Sequence, residues 1–219
     1  MIYDHNYPRY RQMWLGSGAN RYNGAFYYSK EIVQNIIPRI KTNRNWITID
    51  IGQVDANHSI VFIHNNLNPH RYDWLFDYRD KILVCGIPET CEKMDYLGTP
   101  IYLPLSVDVE AVAKYRTKKT RDVAFIGRPD KQHDGYLPAG IDYVMGVQRA
   151  KFLSEVAKYR KVYAVGRAAV EAKILGCEIL PYDPRFPDPE RWKIMDNKDA
   201  AKILQRKLDE IDGRQKHDH

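Results

Sequence analysis

The chain has 219 residues, of which 44% are hydrophobic and 28% charged, and its formal net charge is +6. No apolar run approaches the roughly 20 residues of a membrane span, and residues 1–6 lack the basic and apolar regions of a secretory signal. A cytoplasmic protein of one or two domains, with no membrane span, is therefore expected, and its positive charge favours anionic ligands. Three cysteines without a C-x-x-C motif predict reduced packing residues.

Residues 1–44 are rich in both basic and aromatic side chains. This mixture is typical of surfaces on which bases or sugars stack, and equally of a solvated basic face that covers packed aromatics. Within it, Gly16, Ser17 and Gly18 belong to a glycine-rich loop that is predicted either to approach a phosphate or an acceptor, or to be a plain connection. A helix follows with one apolar face, formed by Tyr28, Ile32, Val33, Ile36 and Ile37.

Short apolar segments then alternate with helical patterns. Strands are predicted at residues 46–51, 59–63, 81–85 and 101–103. Such alternation predicts a parallel sheet, which binds its ligands at the carboxyl ends of its strands. His64 directly follows the second strand at that edge and is a candidate general base, although a histidine in this position is more often structural.

The pattern lapses near the middle of the chain, where residues 108–121 hold a charged run and are predicted to form a linker. It separates a first domain at residues 1–107 from a second at residues 122–212. Residues 213–219 are expected to form a disordered tail.

The second half opens with a strand at residues 122–128 that stops at a glycine and presents Arg128, with Lys131 close behind. Cations at the carboxyl edge of a sheet suit a diphosphate, and two solvated charges on a polar loop are an equal alternative. Residues 131–146 are predicted to be an irregular loop, and residues 147–158 a helix.

Residues 163–183 have the pattern of a strand, a tight turn at Gly166, a helix stopped by Gly176, and a second strand. The helix N-terminus at such an edge suits a phosphate. A packed βαβ unit without a ligand is the alternative. A final amphipathic helix is predicted at residues 199–211.

Three segments, residues 102–108, 123–128 and 166–180, resemble in this order those of GT-B glycosyltransferases. In that family two Rossmann-like domains face each other across a cleft, and the C-terminal one holds the nucleotide sugar while the N-terminal one holds the acceptor. The resemblance implies an α/β protein of two small Rossmann-like parallel-sheet halves facing a cleft. It covers mainly residues 100–185, and Gly16 to Gly18 are a looser match.

The resemblance also implies roles for individual residues. Glu171 matches the family's glutamate that receives the ribose hydroxyls of the donor. Gly166 and Arg167 match the turn whose backbone N–H groups meet the diphosphate. Arg128 and Lys131 fall where the family has basic residues that neutralise the leaving diphosphate. A hexosyltransferase-type enzyme that uses a nucleotide-diphosphate sugar is therefore expected.

The chain also departs from the family. Tyr163 stands where many retaining members carry a second glutamate, so retention is not implied, and in an inverting reaction His64 would activate the acceptor hydroxyl. No Asp-x-Asp motif occurs, which argues against the metal-dependent GT-A family and predicts neither a catalytic metal nor a cofactor besides the donor substrate.

Two other classes of function remain open. The short second half and Tyr163 favour a non-catalytic nucleotide or nucleotide-sugar binding protein. The basic and aromatic residues 1–44 favour a nucleic-acid-binding or nucleic-acid-glycosylating protein. The acceptor can equally be a glycan, a small molecule or a nucleic acid.

Overall fold

The chain forms two compact units in a computed structural model. The first unit contains the described residues of Ala25–Pro104 and Asn197–His219, and the second those of Leu105–Asp196. The structure describes residues 24–48, 57–63, 79–127 except Lys93 and Leu97, and 136–217 except Arg185.

The first described element of the first unit is helix α1, Gly24–Glu31, which continues as a π-helical turn, Ile32–Ile36, and a 3₁₀ turn, Ile37–Arg39. The helix ends there because Pro38 has no N–H to donate. The predicted apolar face is confirmed, since Tyr28, Ile32, Val33, Ile36 and Ile37 are all buried.

The first sheet contains four parallel strands in the order β1-β2-β3-β4. The strands and the short helix α2 are β1 Trp46–Thr48, β2 Ile60–Ile63, β3 Ile82–Cys85, α2 Pro88–Glu92 and β4 Thr99–Tyr102. Every residue of β1, β2 and β3 is buried, as their continuous apolar runs predict for parallel strands covered on both faces. Cys85 and Cys91 pack in this core as free thiols, as predicted.

The second unit contains another four-stranded parallel sheet, in the order β6-β5-β7-β8. Its elements are α3 Val109–Ala113, β5 Arg121–Gly127, β6 Asp142–Met145, α4 Arg149–Val156, β7 Tyr159–Tyr163, α5 Arg167–Ile174 and β8 Glu178–Leu180. The predicted α/β class with two Rossmann-like parallel sheets is thus confirmed.

One of these elements lies where no regular structure was predicted, and another is a short helix within the expected linker. Strand β6 falls inside the expected loop at residues 131–146. It was not predicted because only Val144 of its four residues is buried, so its apolar pattern is weak. Helix α3 falls inside the expected linker at residues 108–121. Its N-cap Asp108 accepts a hydrogen bond from the backbone N–H of Ala111 at 2.8 Å.

The last helix, α6, spans Asn197–His217 and belongs to the first unit although it follows the second in sequence. Leu204 and Leu208 are buried on it, and it packs against the π and 3₁₀ turns that follow α1. The sequence placed this helix at residues 199–211 in the second half, with a disordered tail from Gly213. None of the described helices is long and apolar enough to cross a membrane.

A substitution at Gly98 tests how closely the chain at the start of β4 approaches the start of β3. A Cβ atom there would meet the carbonyl oxygen of Lys81, which accepts the N–H of Thr99 at 2.9 Å and starts the pairing of these strands. We expect Gly98→Ala to lower the free energy of unfolding by about 1–3 kcal/mol, because backbone must shift. Gly213→Ala is the matched control, since a Cβ there meets nothing within 4 Å and alanine stabilises a helix. Equal effects in denaturant titrations would contradict this packing.

Leu204→Ala tests whether α6 is part of the first unit. Leu204 is fully buried, so the substitution should cost about 2–5 kcal/mol. Hydrogen exchange should then accelerate in β2 and β3 while β5 and β7 are unaffected. The control is Lys202→Ala, whose side chain is 77% exposed. Faster exchange in β5 and β7 alone would assign the helix to the second unit.

Candidate functional site

The order in which the chain adds strands to the second sheet reverses between β5 and β7, although all four strands are parallel. From β5 the chain passes to β6 on one side, and then returns across β5 to β7 and continues to β8. Open α/β sheets bind ligands at such a switch point, at the carboxyl ends of the strands. A glycine with a positive φ lies at or after the end of each of these two strands. Gly127, the last residue of β5, has φ +142°, and Gly166, which follows β7, has φ +64°. Both positions therefore have backbone conformations that favour glycine.

Gly166 is also the N-cap residue of α5. Its carbonyl oxygen accepts the N–H groups of Ala169 at 3.1 Å and Val170 at 3.2 Å, which are the first bonds of the helix. The earlier N–H groups of a helix have no acceptor within it, and the positive end of its dipole lies there. The predicted strand, glycine turn and helix are thus confirmed, and the binding of a phosphate at this helix start stays a prediction.

Two arginines hold the carboxylate of Glu171. Arg167 Nε donates to Glu171 Oε1 at 2.5 Å, and Arg149 Nη1 donates to Oε2 at 2.7 Å. Arg149 is the first residue of α4 and Arg167 the first of α5, so each arginine begins a helix at the carboxyl edge of the sheet. Arg167 Nη1 also donates to the carbonyl oxygen of Ser106 at 3.4 Å. This arginine–glutamate cluster (Arg149, Arg167, Glu171) carries one net positive charge.

The cluster is buried to different depths. Glu171 is 2% exposed and the Arg167 side chain 5%, whereas the Arg149 side chain is 22% exposed. Burial opposes ionisation of Glu171, but the guanidinium groups of Arg149 and Arg167 outweigh it and hold the pKa of the carboxyl below its ordinary value of 4.5. Glu171 is therefore charged at neutral pH, and Arg149 is the arginine that solvent or a ligand can reach.

A pocket of about 410 Å³ lies beside this turn, within the range of small-molecule sites. It is formed by the residues that follow β7 and β8 and by a proline-rich segment: Ala164, Val165, Leu180, Pro181, Tyr182, Asp183, Pro184, Phe186, Pro187, Asp188 and Pro189. The ring of Tyr182 lies 5.8 Å from that of Phe186 and 6.0 Å from that of Tyr163. Asp183 is 5% exposed, whereas Asp188 is exposed at the rim.

The structure brings three predicted site residues, Gly166, Arg167 and Glu171, to one helix end. The other predicted residues lie outside the described residues and stay predictions: Gly16, Ser17, Gly18, His64, Arg128 and Lys131. Within the described part of the chain, no group of three or more His, Cys, Asp or Glu side chains is placed to hold a metal ion.

Sequence reasoning missed Arg149 and Asp183. Arg149 begins α4 three residues after Gly146, which has φ +64°, so a glycine with positive φ again lies between a strand and a helix. The signal was hidden because β6 was not predicted. Asp183 stands at the end of the predicted βαβ unit, and nothing in the sequence distinguished it from a surface carboxylate.

Comparisons with protein-family models, with curated proteins and with solved structures gave no match for this chain. The class that the fold defines is an α/β protein with two parallel four-stranded sheets.

Glu171→Gln tests the charge role of this carboxylate. The substitution takes a negative charge away from the buried Arg167 and the partly exposed Arg149, so we expect the free energy of unfolding at pH 7 to fall by about 3 kcal/mol. Because the pKa of Glu171 is lowered on folding, its charge stabilises the fold above about pH 4.5, and this contribution is lost as the pH falls through the folded-state pKa. The difference between the two proteins should therefore shrink in acid.

The control for this measurement is Glu178→Gln. Its carboxylate lies 3.6 Å from Lys161 Nζ, and both side chains are about half exposed, so its loss should cost less than about 1 kcal/mol. A difference between wild-type protein and Glu171→Gln that stays constant from pH 7 to pH 3 in urea titrations would show that Glu171 acts through packing rather than charge.

Proposed function

We propose that the protein is a glycosyltransferase that moves a sugar from a nucleotide-diphosphate sugar to an acceptor hydroxyl. The donor diphosphate would lie at the carboxyl edge of the second sheet. The observation that carries the proposal is the start of α5 at Gly166, beside two arginines that begin neighbouring helices. The resemblance of residues 166–180 to the donor-binding segment of GT-B enzymes supports the same location.

The charge of this edge suits a diphosphate. Two helix N-termini contribute partial positive charge, and the arginine–glutamate cluster adds one net positive charge. Arg128 directly follows Gly127 in sequence, and Lys131 comes shortly after, so two further cations follow β5 at the switch point. A diphosphate gains charge as the glycosidic bond breaks, and cations fixed before the reaction stabilise that charge.

The pocket offers space for the organic part of the donor. Ala164 and Val165 line it and lead directly into Gly166, so a ligand whose phosphate lies at the turn can extend into the pocket. Its walls are aromatic and proline side chains, which suit a ring system better than a second phosphate.

The proposed reaction is a displacement at the anomeric carbon. The acceptor oxygen forms a bond to that carbon while the bond to the diphosphate oxygen breaks, and the nucleotide diphosphate leaves with both bonding electrons. In an inverting reaction His64 would take the acceptor proton. Arg128, Lys131 and the helix start at Gly166 would stabilise the leaving group, without a metal, as the absence of an Asp-x-Asp motif suggests.

The test is a panel of UDP-, GDP-, ADP- and dTDP-sugars, scored first by thermal shift and then by nucleotide release with a mixture of glycan and small-molecule acceptors. One donor should raise the melting temperature, because a ligand that binds only the folded state stabilises it. Folded protein that binds none of these donors would contradict the proposal. Binding without release would favour the non-catalytic nucleotide-sugar binding protein.

Arg149→Ala sharpens this test. Loss of one charge-assisted hydrogen bond to phosphate should weaken donor binding about tenfold or more. Arg160→Ala is the matched control, because Arg160 is exposed and lies near the amino end of β7, away from the carboxyl edge. If both variants bind the donor equally well, with circular dichroism spectra like that of the wild-type protein, the diphosphate does not contact this edge.

A further inference from the structure

We infer that the pocket at the carboxyl ends of β7 and β8 binds the hydroxyl-bearing ring attached to the ligand's phosphate, and that Asp183 accepts hydrogen bonds from a vicinal diol of that ring. The inference rests on the proposed function, which puts the phosphate at the Gly166 turn. It gives the diol to a different carboxylate from the one that the sequence resemblance indicates.

Glu171 is poorly placed to receive hydroxyls. Each of its two oxygens already accepts a hydrogen bond from an arginine. A diol would have to compete with two guanidinium groups whose loss leaves buried charges uncompensated. Glu171 therefore acts on a ligand by holding Arg149 and Arg167 at the edge, as a positioning residue.

Asp183 has the location that a diol-binding carboxylate needs. It lines the pocket, follows β8 by three residues, and is 5% exposed. Its carbonyl oxygen accepts the N–H of Phe186 at 3.0 Å, which fixes the turn that carries it. An ionised carboxylate has about four acceptor positions, so it can bind two neighbouring hydroxyls while keeping other hydrogen bonds.

The distribution of charge decides which part of the ligand enters the pocket. The described lining residues include two carboxylates, Asp183 and Asp188, and no lysine or arginine. The arginines of the cluster, Arg149 and Arg167, are instead the first residues of α4 and α5. A phosphate is attracted to the arginines and repelled by the described carboxylates of the lining, and this favours the uncharged, hydroxyl-bearing part of a sugar phosphate for the pocket.

The apolar walls complete the recognition of a ring. Tyr182 and Phe186 are half-buried and offer flat faces, and four prolines stiffen the segment between β8 and Pro189. A wall already fixed before binding loses little conformational freedom when the ligand arrives. A ring lying on the aromatic faces with its hydroxyls toward Asp183 uses both features together.

The ring has two sources in a nucleotide sugar, namely the ribose and the transferred sugar. The experiment separates them with matched ligand pairs, titrated calorimetrically into the full chain: UMP, GMP and AMP against their 2′-deoxy forms, and glucose 1-phosphate against 2-deoxyglucose 1-phosphate. In at least one pair the hydroxylated ligand should bind about tenfold tighter or more, because a carboxylate built to receive a hydroxyl is left unpaired by the deoxy ligand. That pair identifies the ring.

For the ligand pair that discriminates, Asp183→Asn should bring the ratio of the two dissociation constants, deoxy to hydroxylated, close to one. Asp188→Asn is the control. It removes the same charge from the exposed rim of the pocket and should leave this ratio unchanged. Unchanged discrimination in Asp183→Asn, or an equal loss in Asp188→Asn, would overturn the inference. If Asp183→Asn does not fold, Phe186→Ala decides: it should weaken the hydroxylated ligand about tenfold, and unchanged affinity would overturn the inference.

The outcomes separate this inference from the proposed function. A nucleotide sugar that binds while no ligand pair discriminates leaves the transferase proposal standing and overturns the diol site. Discrimination that depends on Asp183, without binding of any nucleotide sugar, leaves the diol site standing and overturns the transferase proposal.

Discussion

The buried carboxylate of Glu171 is stable as an ion only because two guanidinium groups face it. Removing a carboxylate from water costs several kcal/mol, and the hydrogen bonds at 2.5 and 2.7 Å from Arg167 and Arg149 offset that cost. Both arginines are first residues of helices, so the same contacts join the starts of α4 and α5. The carboxyl edge of the second sheet thus depends on one ion cluster for its charge and for the placement of two helix ends.

Sheet topology explains why these residues meet at all. Arg149 and Glu171 are 22 positions apart, on helices that both follow strands of one parallel sheet. The chain crosses from β6 over β5 to β7 and continues in the same direction to β8, so α4 and α5 cover one face and pack against each other. The return across β5 also creates the switch point between β5 and β7, where Gly166 begins α5 with a positive φ.

The sequence predicted most strands of the sheets because β2, β3 and β5 are continuous apolar runs with clear stops. It missed β6, an edge strand with exposed Asp142 and Tyr143, where burial leaves no periodic signal. The turn at Gly166 was predictable since glycine is required at its φ. The environment of Glu171 was not, because motif similarity describes a local pattern, whereas the contact with Arg149 exists only after the chain has folded.

The terminal helix shows the same limit at the level of domains. Its apolar face was evident, but its partner was not: Asn197 Nδ2 and Asn35 Nδ2 both donate to Glu31 Oε2 at 2.6 Å, across 166 positions in the first case. The second unit is therefore an insertion between Pro104 and Asn197. Within that unit Val107 N–H donates to Met195 O at 3.1 Å, so the entering and leaving segments are hydrogen-bonded side by side. The first unit can close its core only after the whole second unit has been synthesised, because the residues that cover it come last.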